Sequence, residues 1–203
     1  MLPARAAFMR DDLRRSASLA QLELLETPSN FLSEVARSVV QLQRLLCAAQ
    51  LHGLGEAHVL ALALACSHSL HADASLRSDA SDGDGGTLSV NERLLRRSCE
   101  RAGLGSQTAQ LLVLAAGDAA KQLLRANTQE AVERGAFGSP SALVTRIPRI
   151  PRIPDSAPPS STRATQELAT QELFFGSDRM EQLAHYLGLP YGGPQPQASL
   201  AKL

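Results

Sequence analysis

From Arg146 to Pro154 the chain reads Arg-Ile-Pro three times in succession. Proline has no backbone N–H to donate and a fixed φ. Proline at every third residue therefore excludes a helix and a central strand, and fits polyproline II. The run divides the chain into two textures. Ahead of it lie long Leu/Ala-rich segments. Behind it, Asp155 to Thr162 is a Pro/Ser-rich linker, and Ala164-Thr165-Gln166-Glu167-Leu168 is repeated identically by Ala169-Thr170-Gln171-Glu172-Leu173. Adjacent short repeats read as local duplications in a tolerated loop-tip insertion. Docking of the proline repeat in a partner's groove is the functional alternative.

The region ahead of the run carries helical period. Residues 1–26 hold a charged helical pattern with Leu13, Leu19, Leu22 and Leu25 on one face, interrupted by Pro28. Ser29 or Asn30 is placed to cap the helix beyond it. Phe31, Val35, Val39, Leu42 and Leu46 form an apolar stripe at helical spacing up to about Leu51. The next segment, about Gly55 to Leu70, is apolar almost all round and calls for burial on several sides. Ala72 to Gly86 reads as loop by composition. Ser89 and Glu92 have capping-box spacing ahead of a helix from Val90 to about Ala102, closed by Gly103. Ser106 is placed to cap a helix from Gln107 to about Ala126, lined by Leu111, Leu114, Ala115, Leu123 and Leu124. Asn127 and Glu130 make a second capping box for a short helix that stops at Gly135. Leu143-Val144-Thr145 and Glu172 to Phe175 are the two strand candidates. Asp178 and Glu181 make a third capping box, for a helix stopped at Gly188.

Charge and composition exclude several classes of function. Lys+Arg and Asp+Glu number 20 each, so the formal net charge is zero. That disfavours a nucleic-acid binder. Aromatic residues are 3 %, against an aromatic-rich recognition surface. No run of about 20 apolar residues is present to span a membrane. Cys47, Cys66 and Cys99 are widely spaced, odd in number and form no Cys-x-x-Cys, which points to a reducing compartment and to buried structural thiols. The N-terminal segment lacks the apolar core of a secretory signal, and Asp11 and Asp12 count against a mitochondrial presequence. Ala201-Lys202-Leu203 is close to the Ser-Lys-Leu peroxisomal address, so a peroxisomal location is expected, with mitochondrion or cytoplasm as alternatives.

Most motifs tested for chemistry fail on spacing. Asp82 and Asp84 open a calcium-loop pattern, but the required glycine is missing and position twelve is Arg93. His68 and His71 share a helix face without a third metal ligand at a standard spacing, so no metal is expected. No phosphate-binding glycine loop and no nucleophile-elbow serine occurs. Gly176-Ser177-Asp178 with Arg179 differs from these. It precedes an amphipathic helix whose start favours an anion, and the nearby charges suit an amino-acid-like ligand bearing a carboxylate and an ammonium group. An ordinary helix cap by Asp178 is the simpler reading of the same residues.

Two blocks carry a resemblance to a known family. Gly135-Ala136-Phe137-Gly138-Ser139-Pro140, and Leu173-Phe174-Phe175-Gly176-Ser177-Asp178-Arg179-Met180-Glu181 continuing through Leu183 to Gly188, resemble the C-terminal half of kappa-class glutathione transferases. These are DsbA-like thioredoxin-fold enzymes, related to chromene-carboxylate isomerases. The resemblance implies an α/β, mostly helical chain: a thioredoxin-like domain, here its C-terminal half plus a lead-in with an incomplete sheet, and an inserted all-helical domain. Residues 1–29 would be the lead-in, 30–126 the inserted helical domain and 127–190 the C-terminal thioredoxin-like part, with an inserted loop at 148–170. Residues 191–203 would form a tail.

The same resemblance implies glutathione as co-substrate with no further cofactor, a small hydrophobic electrophile as second substrate, a detoxifying conjugation, and a homodimer. Pro140 would be the structural cis-proline, and the backbone of Ser139 would bind glutathione's cysteinyl part. Ser177 and Asp178 would hold the γ-glutamyl end, with Arg179 beside them. The family usually has a larger apolar residue in place of Ser139, which implies a different pocket shape. Its catalytic serine, in a Ser-Pro-Tyr-like setting, stabilises the glutathione thiolate. Nothing in Met1 to Phe31 matches that setting, so no catalytic residue is assigned and weak or no turnover is expected. A non-catalytic glutathione-binding or dimerisation remnant is the alternative. A thiol–disulfide oxidoreductase is a third reading, opposed by the missing Cys-x-x-Cys.

Overall fold

The computed structural model describes residues 3–22, 26–79, 85–146 and 170–193. The Arg-Ile-Pro run beyond Arg146, the insertion up to residue 169, Asp82 and Asp84, and Ala201-Lys202-Leu203 lie outside the described residues. The chain divides into two compact units, one running up to Asn127 and the other Thr128–Gly193.

In the first unit α1 (Pro3–Leu19) is a charged helix. Arg14 and Arg15 pair with Asp11 and Asp12 one turn back, at 3.3 and 3.6 Å, and Arg14 also meets Glu26 at 2.7 Å. With charges on so much of its circumference the leucine stripe is not a core face: Leu13, Leu19 and Leu22 are exposed. After Pro28 a π-helical turn, Phe31–Val35, leads through α2 (Ala36–Ser38) into α3 (Val40–Leu51). Val35 and Leu42 are buried, and Phe31, Val39 and Leu46 pack against the core, as their spacing predicts. Asn30 caps nothing with its side chain. Its amide instead grips both backbone groups of Leu88, donating to the carbonyl at 2.9 Å and accepting from the N–H at 3.1 Å.

The next helix, α4 (Glu56–His71), packs against α3 and against α5 (Glu92–Arg101). It turns Leu62, Ala65, Cys66 and Ser69 inward. Burial on several sides is not achieved, because Leu60 and Leu64 stay outside at 61 % and 55 % exposure. The loop-like stretch after α4 holds a short ladder, β1 (Arg77–Ser78) against β2 (Thr87–Leu88). The Asn30 clamp explains why so polar a segment forms one. The cap of α5 is Asn91, whose side chain accepts from the Leu94 N–H at 3.3 Å, in place of the expected Ser89–Glu92 box. The helix begins at Glu92, so that glutamate is one position past the cap and not three.

Gly117 breaks the expected Gln107–Ala126 helix into α6 (Thr108–Ala116) and α7 (Asp118–Glu133). The Asn127–Glu130 box does not form, because α7 runs straight through Asn127. A three-residue Asn–Glu spacing is equally at home inside a helix, so the pattern alone does not mark a start.

The first unit's core joins Val35, Leu42, Leu45, Leu62, Leu88, Leu94, Cys99 and Leu111, drawn from helices, the π-helical turn and β2. Its buried hydroxyls are satisfied: Ser98 donates to the Leu94 carbonyl and meets Ser69 at 3.0 Å, and Thr108 donates to the Leu104 carbonyl. All three cysteines are free and buried here.

In the second unit α7 ends at Gly135, whose φ of +87° suits glycine, and the Ala136 N–H closes back on the Ala131 carbonyl at 2.9 Å. Strand β3 (Ser141–Arg146) pairs antiparallel with β4 (Thr170–Phe175), in register from Ser141↔Phe175 to Arg146↔Thr170. A 3-10 turn, Ser177–Arg179, leads into α8 (Met180–Leu187), which stops at Gly188 in the left-handed region. Phe174 packs on Tyr186 of α8 with ring centroids 5.4 Å apart. None of this unit's described residues is fully buried. The chain is therefore α/β and mostly helical, with an incomplete sheet.

Candidate functional site

The candidate residues occupy the two chain segments that meet at one end of the β3–β4 hairpin. Ser139 and Pro140 lead into β3, and the peptide bond between them is cis. Ser177, Asp178 and Arg179 form the turn between β4 and α8. One step beyond the Ser141↔Phe175 pair, the Gly176 N–H donates to the Pro140 carbonyl at 3.0 Å. The hairpin thus brings together two motifs that are far apart in sequence, and Ser139, Ser177, Asp178 and Arg179 are all exposed there.

Gly176 makes the exit from β4 possible. Its φ of +100° lies where L residues are strained, and a Cβ there would run into the Asp178 carboxylate. Asp178 therefore folds back over the glycine, and its carboxylate stands 3.6 Å from the Arg179 guanidinium. It does not cap α8. The cap residue is Arg179, without a side-chain bond, so the Asp178–Glu181 box does not form. The 3-10 turn moves the helix start to Met180 and takes both acids out of capping geometry.

Two aromatic side chains that spacing does not single out hold the other segment. The Phe137 and Phe175 rings lie 4.6 Å apart, tilted by 46°. The Phe175 ring also covers Gly138 closely enough that a Cβ there would come within 2.5 Å of a ring carbon. The signal in the sequence is a glycine between an aromatic residue and the Ser-Pro pair, which periodicity does not read.

A groove, a buried acid and the three thiols lie in the first unit. A groove of about 610 Å³ beside α5 is lined by Arg93, Arg96, Arg97, Glu92, Glu100, Ser75 and Leu76. Its arginines are engaged. Arg93 donates to the Ser75 carbonyl at 2.9 Å, Arg96 meets Glu92 at 2.6 Å and Arg97 meets Asp73 at 3.1 Å. Asp73 is buried. Desolvation pushes its carboxyl up, but the Ser75 hydrogen bonds and Arg97 outweigh that and hold it below the usual range. Burial pushes the Cys66 thiol up to about 11 and raises Cys47 and Cys99. His68 and His71 close the last turn of α4, and no group of three His, Cys, Asp or Glu suited to a metal occurs among the described residues.

A two-stranded antiparallel hairpin, entered through a cis-proline and left through a glycine into a helix, places the chain in the thioredoxin-type class. The family model described as a DSBA-like thioredoxin domain matches residues 83–188, more than half of the chain, and the chain belongs to that family. The observed architecture is accordingly a partial thioredoxin-like fold with a helical insertion. Among curated proteins, none matches the chain. No helix among the described residues is long and apolar enough to cross a membrane.

Proposed function

We propose that the Thr128–Gly193 unit binds glutathione in the manner of the kappa-class transferases it resembles, and that this chain binds the tripeptide without conjugating it at an appreciable rate. The observation that carries the reading is the Gly176–Pro140 hydrogen bond, which sets the Ser139 backbone and the Ser177–Arg179 turn at one edge. An open backbone edge suits the extended cysteinyl part of a peptide. A hydroxyl, a carboxylate and a guanidinium suit a γ-glutamyl end that carries both charges.

Chemistry beyond binding lacks its groups. The 203 residues contain no Ser-Pro-Tyr, and no other serine is matched to the thiolate-stabilising one. Disulfide exchange requires an accessible thiolate, and all three thiols are buried with raised pKa values.

The test is a thermal melt of the protein with and without millimolar glutathione. A ligand present at about 100 times its dissociation constant stabilises the native state by about 2.7 kcal/mol, which moves Tm by several degrees. Ser177→Ala and Asp178→Ala should each reduce that shift. An unmoved melt overturns the glutathione reading. Conjugation of a small hydrophobic electrophile at a rate typical of an intact transferase overturns the non-catalytic part.

A role in dimerisation is the second reading, favoured by the unit's uncovered apolar side chains. Phe137, Leu189 and Met180 are exposed at 76 %, 58 % and 49 %. A two-stranded sheet with no buried residue needs packing from elsewhere. Light scattering that returns twice the 21.6 kDa chain mass supports this reading, and a monomer at micromolar concentration removes it.

A further inference from the structure

We propose that Phe175 is a positioning residue: its ring, packed at a tilt against Phe137 and laid over Gly138, fixes the backbone of Ser139 at the edge offered to the ligand. The inference rests on the glutathione reading above and adds a residue to that site. Four consecutive residues lead into β3, and three of them are tied down. Phe137 is held by its ring against Phe175 at 4.6 Å. Gly138 lies under the Phe175 ring, and its carbonyl accepts from the Ser141 hydroxyl at 2.7 Å. Pro140 accepts from the Gly176 N–H at 3.0 Å. Ser139, between them, makes no such tie among the described residues and is exposed. An open backbone held rigid on both sides loses little ordering entropy when an extended ligand pairs with it.

Phe175 is also an unusual aromatic for a structural role. It is 41 % exposed and belongs to a unit without a buried core, so burial alone does not account for it. What the ring does is occupy the space in which residue 138 would carry a side chain. Gly138 has an ordinary φ, so a side chain there meets no backbone strain but would have to displace the Phe175 ring.

The experiment compares the unmodified protein with Phe175→Leu, Phe175→Tyr and Gly138→Ala. Two quantities are read: the dissociation constant for glutathione, and the NMR order parameter of the Ser139 N–H relative to that of Leu143 in mid-strand. The expected result for Phe175→Leu is about tenfold weaker binding, the scale of one lost aromatic pair, with a lower Ser139 order parameter. Gly138→Ala, which displaces the ring, should do the same. Phe175→Tyr keeps a ring and should keep both values.

Binding within about twofold of the unmodified protein and an unchanged Ser139 order parameter in a folded Phe175→Leu overturn the proposal. If the unmodified protein takes up no glutathione, the binding reading fails, but the order-parameter comparison still decides whether Phe175 positions Ser139. If Phe175→Leu does not fold, Phe137→Leu removes the other ring of the pair and is read by the same two quantities.

Discussion

The Gly176 amide donates to the Pro140 carbonyl at 3.0 Å, and this one bond joins the entrance of β3 to the exit of β4. The geometry depends on Gly176 at a φ of +100°. Gly176→Ala places a Cβ against the Asp178 carboxylate in a backbone region that L residues avoid. The expected cost is about 1–3 kcal/mol. Thermal or denaturant unfolding measures it, and a stability unchanged from that of the parent protein would show that the turn adopts another path.

Asn30 and Leu88 are bonded twice across 58 positions of sequence. Leu88 is 1 % exposed, so water cannot easily replace the lost partner in Asn30→Ala. The expected destabilisation is about 1–3 kcal/mol. The Leu88 amide should exchange faster with solvent deuterium than core amides of α3, and equal acceleration at both would argue for global loosening instead.

Asp73 is held ionised inside the first unit by Ser75 and Arg97. Its folded-state pKa lies below the ordinary carboxylate value, so its contribution to stability is complete above that value and fades as pH falls through the depressed one. Asp73→Asn removes the charge, leaves Arg97 without its buried partner, and should flatten the loss of stability below about pH 4. A mutant that loses stability on acidification as steeply as the parent would assign that loss to other carboxylates.

The three thiols should resist modification by an aromatic disulfide at about pH 8 until the chain unfolds, because thiolate is the reacting species and burial opposes it. Cys66 is pushed furthest. The folded state favours its neutral form, so the associated stability is complete below pH 9, the thiol's ordinary value, and declines as pH rises toward about 11. Cys66→Ala should lessen that alkaline decline. Rapid labelling of the native protein at the same mildly alkaline pH would show that the first unit opens on the time scale of the assay.

Rules that act over a few residues account for the legible part of the fold. The stripe of Phe31, Val35, Val39, Leu42 and Leu46 faces the core because its spacing puts those residues on one side of a helix. Gly103, Gly135 and Gly188 end helices with positive φ, as a residue without a Cβ can. The capping boxes mislead for a related reason. A two-residue pattern shows that a cap is chemically possible, whereas the helix start depends on where the backbone bonds begin. Asn91 wins over Ser89, α7 absorbs Asn127, and a 3-10 turn displaces Asp178.

The sequence by itself determined the helical period, the helix stops, the two strand segments and the residue types that suit a γ-glutamyl peptide. Tertiary structure alone decided the rest, because those relations cross long stretches of chain. Asn30 reaches Leu88 only once the first unit has packed, and α4 leaves Leu60 and Leu64 outside because its neighbours cover one side. The candidate site belongs to the same group. Ser139 and Ser177 stand at one edge only because β3 and β4 pair in the register that puts Pro140 opposite Gly176, and a ladder's register is fixed by pairing and not by either strand alone.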